Sequence, residues 1–477
     1  MRFAAIDQGT TSTRALVVDE SGGLQVVHAV EHRQIYPQSG WVEHDPHELI
    51  LNIQACVDAL CDVTAIGIDN QGESCLAWDA CSKAPLSPVI VWQDKRTADQ
   101  IKVLKEQGYE VETLTRAGLP LDPYFSASKL AWIVKNIPAA ADAFDKGTLR
   151  LGTTDAYFLD RLTGRFVTDV STASRTSLMN LETLEWDLAL CDLFGVPIET
   201  LPKIVPTTGD FGALQTKNGP IPVTASVVDQ QAALYGFGCR KSGDAKITFG
   251  TGAFAMMVTG AKIHRRTAQG LLPTVAWQLG DAPVVYAVDG GVYTASAALN
   301  WAKSLGLFSD FSGINSFDKP AAIDNGLVFV PALSGLGCPH WDSTARGIWL
   351  GLSLDHDAKD MVQAILEGVA FRAAQVMKVM DACVALPKAV LIDGGMSKNA
   401  YFTQFLADVL DREVRPASVP EITGLGTAQL AAKALGYDLG TAMTFDQYHP
   451  KKIHRNALRK FDQACQMSQQ WHGTQHG

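Results

Sequence analysis

Asp7, Gly9, Thr10, Thr11, Ser12 and Arg14 fall between an apolar run from Phe3 to Ile6 and a second from Ala15 to Val18. This pattern predicts two strands joined by a turn that can grip a polyphosphate. Glycine lets the backbone approach closely, and neighbouring N–H groups form an anion-binding concavity. The hydroxyls and the guanidinium add donors to phosphate oxygens. Asp7 is a hard, acceptor-only group suited to Mg²⁺ or its water shell. A polar hairpin turn would account for this segment alone, but the design returns downstream. Gly250-Thr251-Gly252 separates the apolar runs Ala245 to Phe249 and Ala253 to Val258. Two such hairpins, each opening one half of the chain, suggest paired domains around one nucleotide. Asp393-Gly394-Gly395, after the apolar run Ala389 to Ile392, adds a strand–diglycine–helix pattern of the kind that contacts nucleotides. Asp229 follows the apolar run Val223 to Val228 at the start of a helix. Its carboxylate can cap that helix, or it can accept a proton from an attacking hydroxyl.

The elements that must position these groups are of mixed type. After the first hairpin, a turn at Asp19 to Gly23 and a strand from Leu24 to Val30 complete an antiparallel meander. Asp45, Pro46 and Glu48 carry the signals of a helix start. Thr64 to Ile68 reads as a strand entering the polar turn Asp69 to Ser74, and Asp360 to Met380 as a helix with a core-facing stripe. Thr423-Gly424-Leu425-Gly426-Thr427 precedes an Ala-rich helix, where small residues serve either close packing or close ligand approach. A hinge near Gly236 to Gly243 separates two α/β halves, residues 1–238 and 239–477.

A chain of 477 residues exceeds a single hydrophobic core, so two domains with a cleft between them are expected. The formal charge of −10 disfavours a broad nucleic-acid or anionic-membrane surface while leaving small anionic ligands open. Nine scattered cysteines without a CxxC pair read as reduced thiols, and the interrupted first apolar run is too short for a signal peptide or membrane span. A cytoplasmic location is therefore expected.

The chain resembles the FGGY family of carbohydrate kinases nearly end to end. One family signature matches Tyr124 to Asn136, and the other runs from Gly347 to Leu352 and resumes at Asp360 to Glu367. The stretches Gly40 to Pro46, Trp92-Gln93, Arg96-Thr97, Asp122 to Ser126, Ala173 to Thr176 and Asp229 to Leu234 are similar to the glycerol-phosphorylating members. The resemblance implies two actin-like, ribonuclease-H-like α/β domains flanking a nucleotide and substrate cleft. It further implies ATP and Mg²⁺ as cofactors, direct transfer to a terminal hydroxyl of a small polyol, and a homodimer or homotetramer.

Carried over by position, Asp229 is the catalytic base and Asp7 contacts the metal. Thr10, Thr11, Ser12, Arg14, Gly250, Thr251 and Gly252 contact phosphates, while Ser296, Asn300, Gly395 and Asn399 lie with the adenosine. Glu73, Trp92, Tyr124, Asp229, Gln230 and Phe254 hold the polyol. The pattern is broken at Gln71-Gly72-Glu73, because glycerol-phosphorylating members carry arginine where this chain has Gly72. Lys95, Arg96 or water is expected to replace the lost donor, or the pocket accepts a longer polyol or a ketose. Glycerol is the leading substrate, with erythritol, threitol, xylulose and ribulose as alternatives and an actin- or chaperone-like ATPase as the rival class. Lys217 to Pro222 replaces the family's sugar-bisphosphate loop, so such inhibition is expected to be weak or absent.

Overall fold

Gly9 N–H donates to the Ser12 carbonyl at 3.0 Å, closing the first hairpin between strands Arg2–Gln8 and Ser12–Asp19. In this computed structural model, which describes residues 1–265, 270–419, 421–440, 443–452, 454 and 456–473, that hairpin lies inside a six-stranded sheet. The sheet runs Ala213–Thr216, Gly219–Val228, Ala65–Asn70, Arg2–Gln8, Ser12–Asp19, Leu24–Glu31. Arg2–Gln8 is antiparallel to its hairpin partner and parallel to Ala65–Asn70, which is in turn parallel to Gly219–Val228.

The second half repeats the plan. Its sheet runs Leu272–Trp277, Val285–Val292, Ala253–Gly260, Ala245–Phe249, Ala389–Gly394, Glu413–Pro416. Ala245–Phe249 is again flanked by an antiparallel hairpin partner and a parallel strand, Ala389–Gly394. The weak echo between the two glycine-threonine turns thus corresponds to a shared sheet order. In each sheet the parallel strands end on one edge, where ligands of open α/β sheets bind. Register sets Asp7 beside Asp69 and Asn70 beside Val228.

Several boundaries differ from the sequence expectations. Asp69 and Asn70 belong to the strand rather than the following turn, because each is paired on both sides. The long helix spans Ala358–Cys383, starting two residues before and ending three after the expected Asp360 to Met380. Its start is fixed by a reciprocal capping box: the Asp357 carboxylate accepts from Asp360 N–H at 3.0 Å, and Asp360 accepts from Asp357 N–H at 2.9 Å.

Thr423 to Thr427 does not precede its helix but forms the first turns of Ile422–Ala434. Packing decides between the two expected roles of its small residues. A Cβ on Gly426 would stand 1.9 Å from the Ala232 carbonyl oxygen, and one on Gly236 would stand 2.2 Å from that of Ile422. Helices Asp229–Gly236 and Ile422–Ala434 therefore meet backbone to backbone. The latter also covers the N-terminal sheet, packing Leu425, Ala428 and Ala432 with Phe3, Ala5, Leu16 and Val18. Its Thr427 carbonyl would lie 2.5 Å from a Cβ on Gly67. Among the described residues no helix is long and apolar enough to cross a membrane.

Candidate active site

At the carboxyl edge of the sheets lies a cavity of about 140 Å³. It brings together all six residues expected to hold a polyol, Glu73, Trp92, Tyr124, Asp229, Gln230 and Phe254, with Thr10 of the first hairpin also in its lining. Asp229 is the first residue of helix Asp229–Gly236, the cap position itself being Val228. Among the described residues its carboxylate accepts only from the adjacent Gln230 N–H, at 2.7 Å, so it does not serve as the helix cap. Burial, followed by the negative charge of Glu73, raises the Asp229 carboxyl to about 7. A carboxyl titrating near neutrality in a cavity is suited to accepting a proton.

Glu73 adopts a left-handed backbone conformation, with φ 62°, which is costly for a residue with a side chain. Its carbonyl accepts from the Ser126 hydroxyl at 2.9 Å, tying it to the start of helix Ser126–Asn136. From the same helix, the buried Lys129 ammonium donates to the carbonyls of Pro123 and Tyr124, both at 2.6 Å. The first signature segment thereby fixes the backbone that presents Glu73 and Tyr124. Trp92 stands edge to face with Tyr124 and Phe254, with centroids at 5.7 and 6.4 Å, and its indole N–H donates to the Thr10 hydroxyl at 3.2 Å.

The cation beside Glu73 is neither Lys95 nor Arg96. Lys95 is exposed, and Arg96 is bound to Asp94 and Glu43 while stacking 3.8 Å from the Trp41 ring centroid. Arg175 supplies the charge instead. Its Nε donates to Glu73 Oε1 at 2.7 Å and its Nη2 to Asp289 Oδ2 at 3.2 Å. Burial opposes its charge, but Glu73 and Asp289 outweigh burial and raise its pKa. Sequence reasoning also missed Lys246, whose buried Nζ donates to Gln230 Oε1 at 2.5 Å and Thr248 Oγ1 at 2.9 Å. Arg175 lay in a stretch marked for its resemblance, and Lys246 opens the second hairpin, but neither local sequence named a partner.

On the phosphate side, Thr10 and Ser12 are half-buried and Thr11 is exposed. The Arg14 guanidinium pairs with Glu421 at 2.6 Å, so its contact in this structure is a carboxylate. Gly250 and Thr251 direct their carbonyls to the amides of Ser296 and Ala295, joining the second turn to helix Ser296–Ser304. A Cβ on the buried Gly252 would meet the Val292 carbonyl at 2.6 Å, which explains the glycine. Asn300 and Gly395 are exposed and Ser296 is half-buried. Asn399 is buried as a helix cap, its Oδ1 accepting from Phe402 N–H at 2.8 Å and its Nδ2 donating to the Ile314 carbonyl at 2.9 Å. None of these residues, expected to lie with the adenosine, lines the cavity.

Asp7 and Asp69 lie side by side on adjacent parallel strands, and Thr427 donates to Asp69 Oδ2 at 2.7 Å. Burial raises both carboxyls, and the charge of Asp7 raises Asp69 further. Asp69 Oδ1 is buried and, among the described residues, has no neighbour to bond beyond Asp7. This pair of hard oxygen donors fits Mg²⁺, which takes one or two protein carboxylates and completes its shell with water and phosphate.

Comparison with known proteins agrees with this geometry. Residues 3–236 match the model of the FGGY family of carbohydrate kinases, N-terminal domain, and residues 245–435 match that family's C-terminal domain. A glycerol kinase of Ectopseudomonas mendocina is 41% identical over 447 residues, 91% of this chain and 90% of that protein. One from Parabacteroides distasonis is 38% identical over 483 residues, covering 98% and 96% of the two chains. The crystal structure of Plasmodium falciparum glycerol kinase with ADP superposes with a TM-score of 0.90 at 29% identity, covering 98% of both chains.

Proposed function

Because the chain belongs to the FGGY family of carbohydrate kinases, we propose that it transfers the terminal phosphoryl group of ATP to a terminal hydroxyl of glycerol, forming glycerol 3-phosphate. The observation that carries this reading is the half-buried Asp229 carboxylate in a cavity that Thr10 of the phosphate-type hairpin also lines. The identity to glycerol kinases across most of the chain supports glycerol as acceptor.

Glu73, Tyr124 and Gln230 orient the polyol hydroxyls, and the faces of Trp92 and Phe254 cover its C–H side. Lys246 and Lys129 keep Gln230 and Tyr124 in place. Asp229 accepts the proton of the attacking hydroxyl as its oxygen bonds to the terminal phosphorus and the bond to the ADP oxygen breaks. The first turn, with Thr10, Thr11 and Ser12, and Gly250 to Gly252 contact phosphate oxygens from the two halves. Ser296, Asn300, Gly395 and Asn399 border the adenosine. Asp7, with Asp69 beside it, would hold Mg²⁺, whose charge would offset that of the phosphates. The nine scattered cysteines, without a CxxC pair, support a reducing, cytoplasmic setting.

A coupled ADP-release assay with glycerol tests this reading, with Asp229→Asn as its control. Glycerol-dependent ADP release should fall by roughly 10²–10⁴-fold in the variant. Full turnover by Asp229→Asn would remove the base assignment, and ATP hydrolysis indifferent to glycerol would instead favour an ATPase.

A further inference from the structure

All four carbonyls of the first hairpin turn, Gly9 to Ser12, are fastened to the protein. The Gly9 carbonyl accepts from the Gln8 side-chain amide at 2.7 Å, and the Ser12 carbonyl from Gly9 N–H at 3.0 Å. His32, the residue after strand Leu24–Glu31, holds the two between them. Its backbone N–H donates to the Thr11 carbonyl at 3.1 Å, and its ring Nε2 lies 2.9 Å from the Thr10 carbonyl. A carbonyl oxygen only accepts, so Nε2 carries the proton. The imidazole belongs to a residue 8% exposed and stands edge to face with the buried His44, at 4.7 Å between centroids, which keeps it from turning away. His44 is anchored in turn by the Gln71 amide, 3.2 Å from its Nδ1.

In a trans peptide the C=O and the following N–H point in opposite directions. Two consecutive carbonyls drawn to His32 therefore turn the N–H groups of Thr11 and Ser12 away from it, the arrangement of an anion-binding nest. Resting on the kinase reading above, we propose that His32 is a positioning residue for phosphoryl transfer, its ring holding the Thr10–Thr11 peptide with the N–H toward the nucleotide phosphates. Without the ring bond that peptide can rotate and present the Thr10 carbonyl oxygen to the anion, exchanging an attraction for a repulsion. Packing alone asks only for a ring against His44, whereas the bond to Thr10 asks for a donor at the Nε2 position. The Trp92 indole holds the Thr10 hydroxyl separately, at 3.2 Å, so the polyol side of the hairpin stays anchored when the ring bond is lost.

His32→Phe keeps a ring and removes the donor, whereas His32→Gln keeps an N–H at a similar reach. Isothermal titration with Mg-ADP and, separately, with glycerol in the nucleotide-free protein reads the two sides of the site without turnover. His32→Phe should weaken Mg-ADP binding roughly tenfold or more, the worth of one hydrogen bond to a charged group, and raise KM for ATP in parallel. Its glycerol affinity should stay within about twofold of wild type, and the Mg-ADP affinity of His32→Gln within about threefold. In wild-type protein labelled with 15N-histidine, the His32 signal, identified among the eleven histidines by its loss in His32→Gln, should show the Nε2–H tautomer. That measurement decides the matter should His32→Phe fail to fold. A folded His32→Phe with wild-type Mg-ADP affinity, a His32→Gln as weak as His32→Phe, equal losses of Mg-ADP and glycerol affinity, or an Nδ1–H tautomer would each overturn the role of His32. Glycerol-dependent turnover by the wild type would in those cases leave the kinase reading intact. A wild-type protein that neither binds Mg-ADP nor forms ADP from ATP when glycerol is added would overturn both.

Discussion

Glu73 is buried and Asp229 half-buried, and the charge of Glu73 adds to the effect of desolvation in raising Asp229 from 3.8 to about 7. Between those two values the folded chain retains a proton that the unfolded chain has released. Stability therefore falls as pH rises through that window and levels off above about 7. The base, in contrast, is active only when ionised. Wild-type kcat/KM should decline about tenfold per unit as pH drops below about 7, as read from an ADP-release profile. Asp229→Asn should melt higher than wild type at pH 8, with the gain shrinking toward pH 4. A flat rate profile between pH 6 and 8, or a variant no more stable at pH 8, would separate Asp229 from this linkage. At this scale motif context marked Asp229, Glu73, Tyr124 and Gln230, which converge on one cavity. Arg175 was not assigned a role, since its partners lie 102 and 114 residues away. Arg96 looked available in sequence, but Asp94, Glu43 and Trp41 already hold it.

The two hairpins were readable because a turn rich in glycine and hydroxyls between apolar runs has few other structures. Glycines at helix crossings carry no comparable local signal. Gly424 and Gly426 suggested either packing or ligand approach, and only the juxtaposition of Ile422–Ala434 with Asp229–Gly236 resolves them. This crossing also braces the helix whose first residue is Asp229. Gly426→Ala puts a methyl group 1.9 Å from a backbone oxygen that cannot move independently. It should destabilise the protein by roughly 2–4 kcal/mol and lower kcat, as measured by denaturant unfolding and ADP release. Gly209→Ala, where a Cβ meets nothing within 4 Å, is the matched control and should change stability by no more than about 0.5 kcal/mol. Equal behaviour of the two variants would mean that the crossing tolerates expansion.

Across the whole molecule, the sequence's division into halves describes strand order better than it describes contact. Ile422–Ala434 follows the second sheet in the chain yet covers the first. The acceptor cavity likewise draws Glu73, Tyr124 and Asp229 from one half and Phe254, Met256 and Asp289 from the other. Polyol and nucleotide should therefore each favour the same approach of the two halves, since each is expected to contact both. The consequence is a coupling free energy, which linkage requires to be reciprocal. A non-hydrolysable ATP analogue with Mg²⁺ should tighten polyol binding by roughly 5–100-fold, and saturating polyol should tighten analogue binding by the same factor. Isothermal titration in both orders measures the two factors independently. Equal factors above fivefold would show that the halves respond as a unit. A factor near one in both titrations would mean that the cavity is already assembled before either ligand arrives.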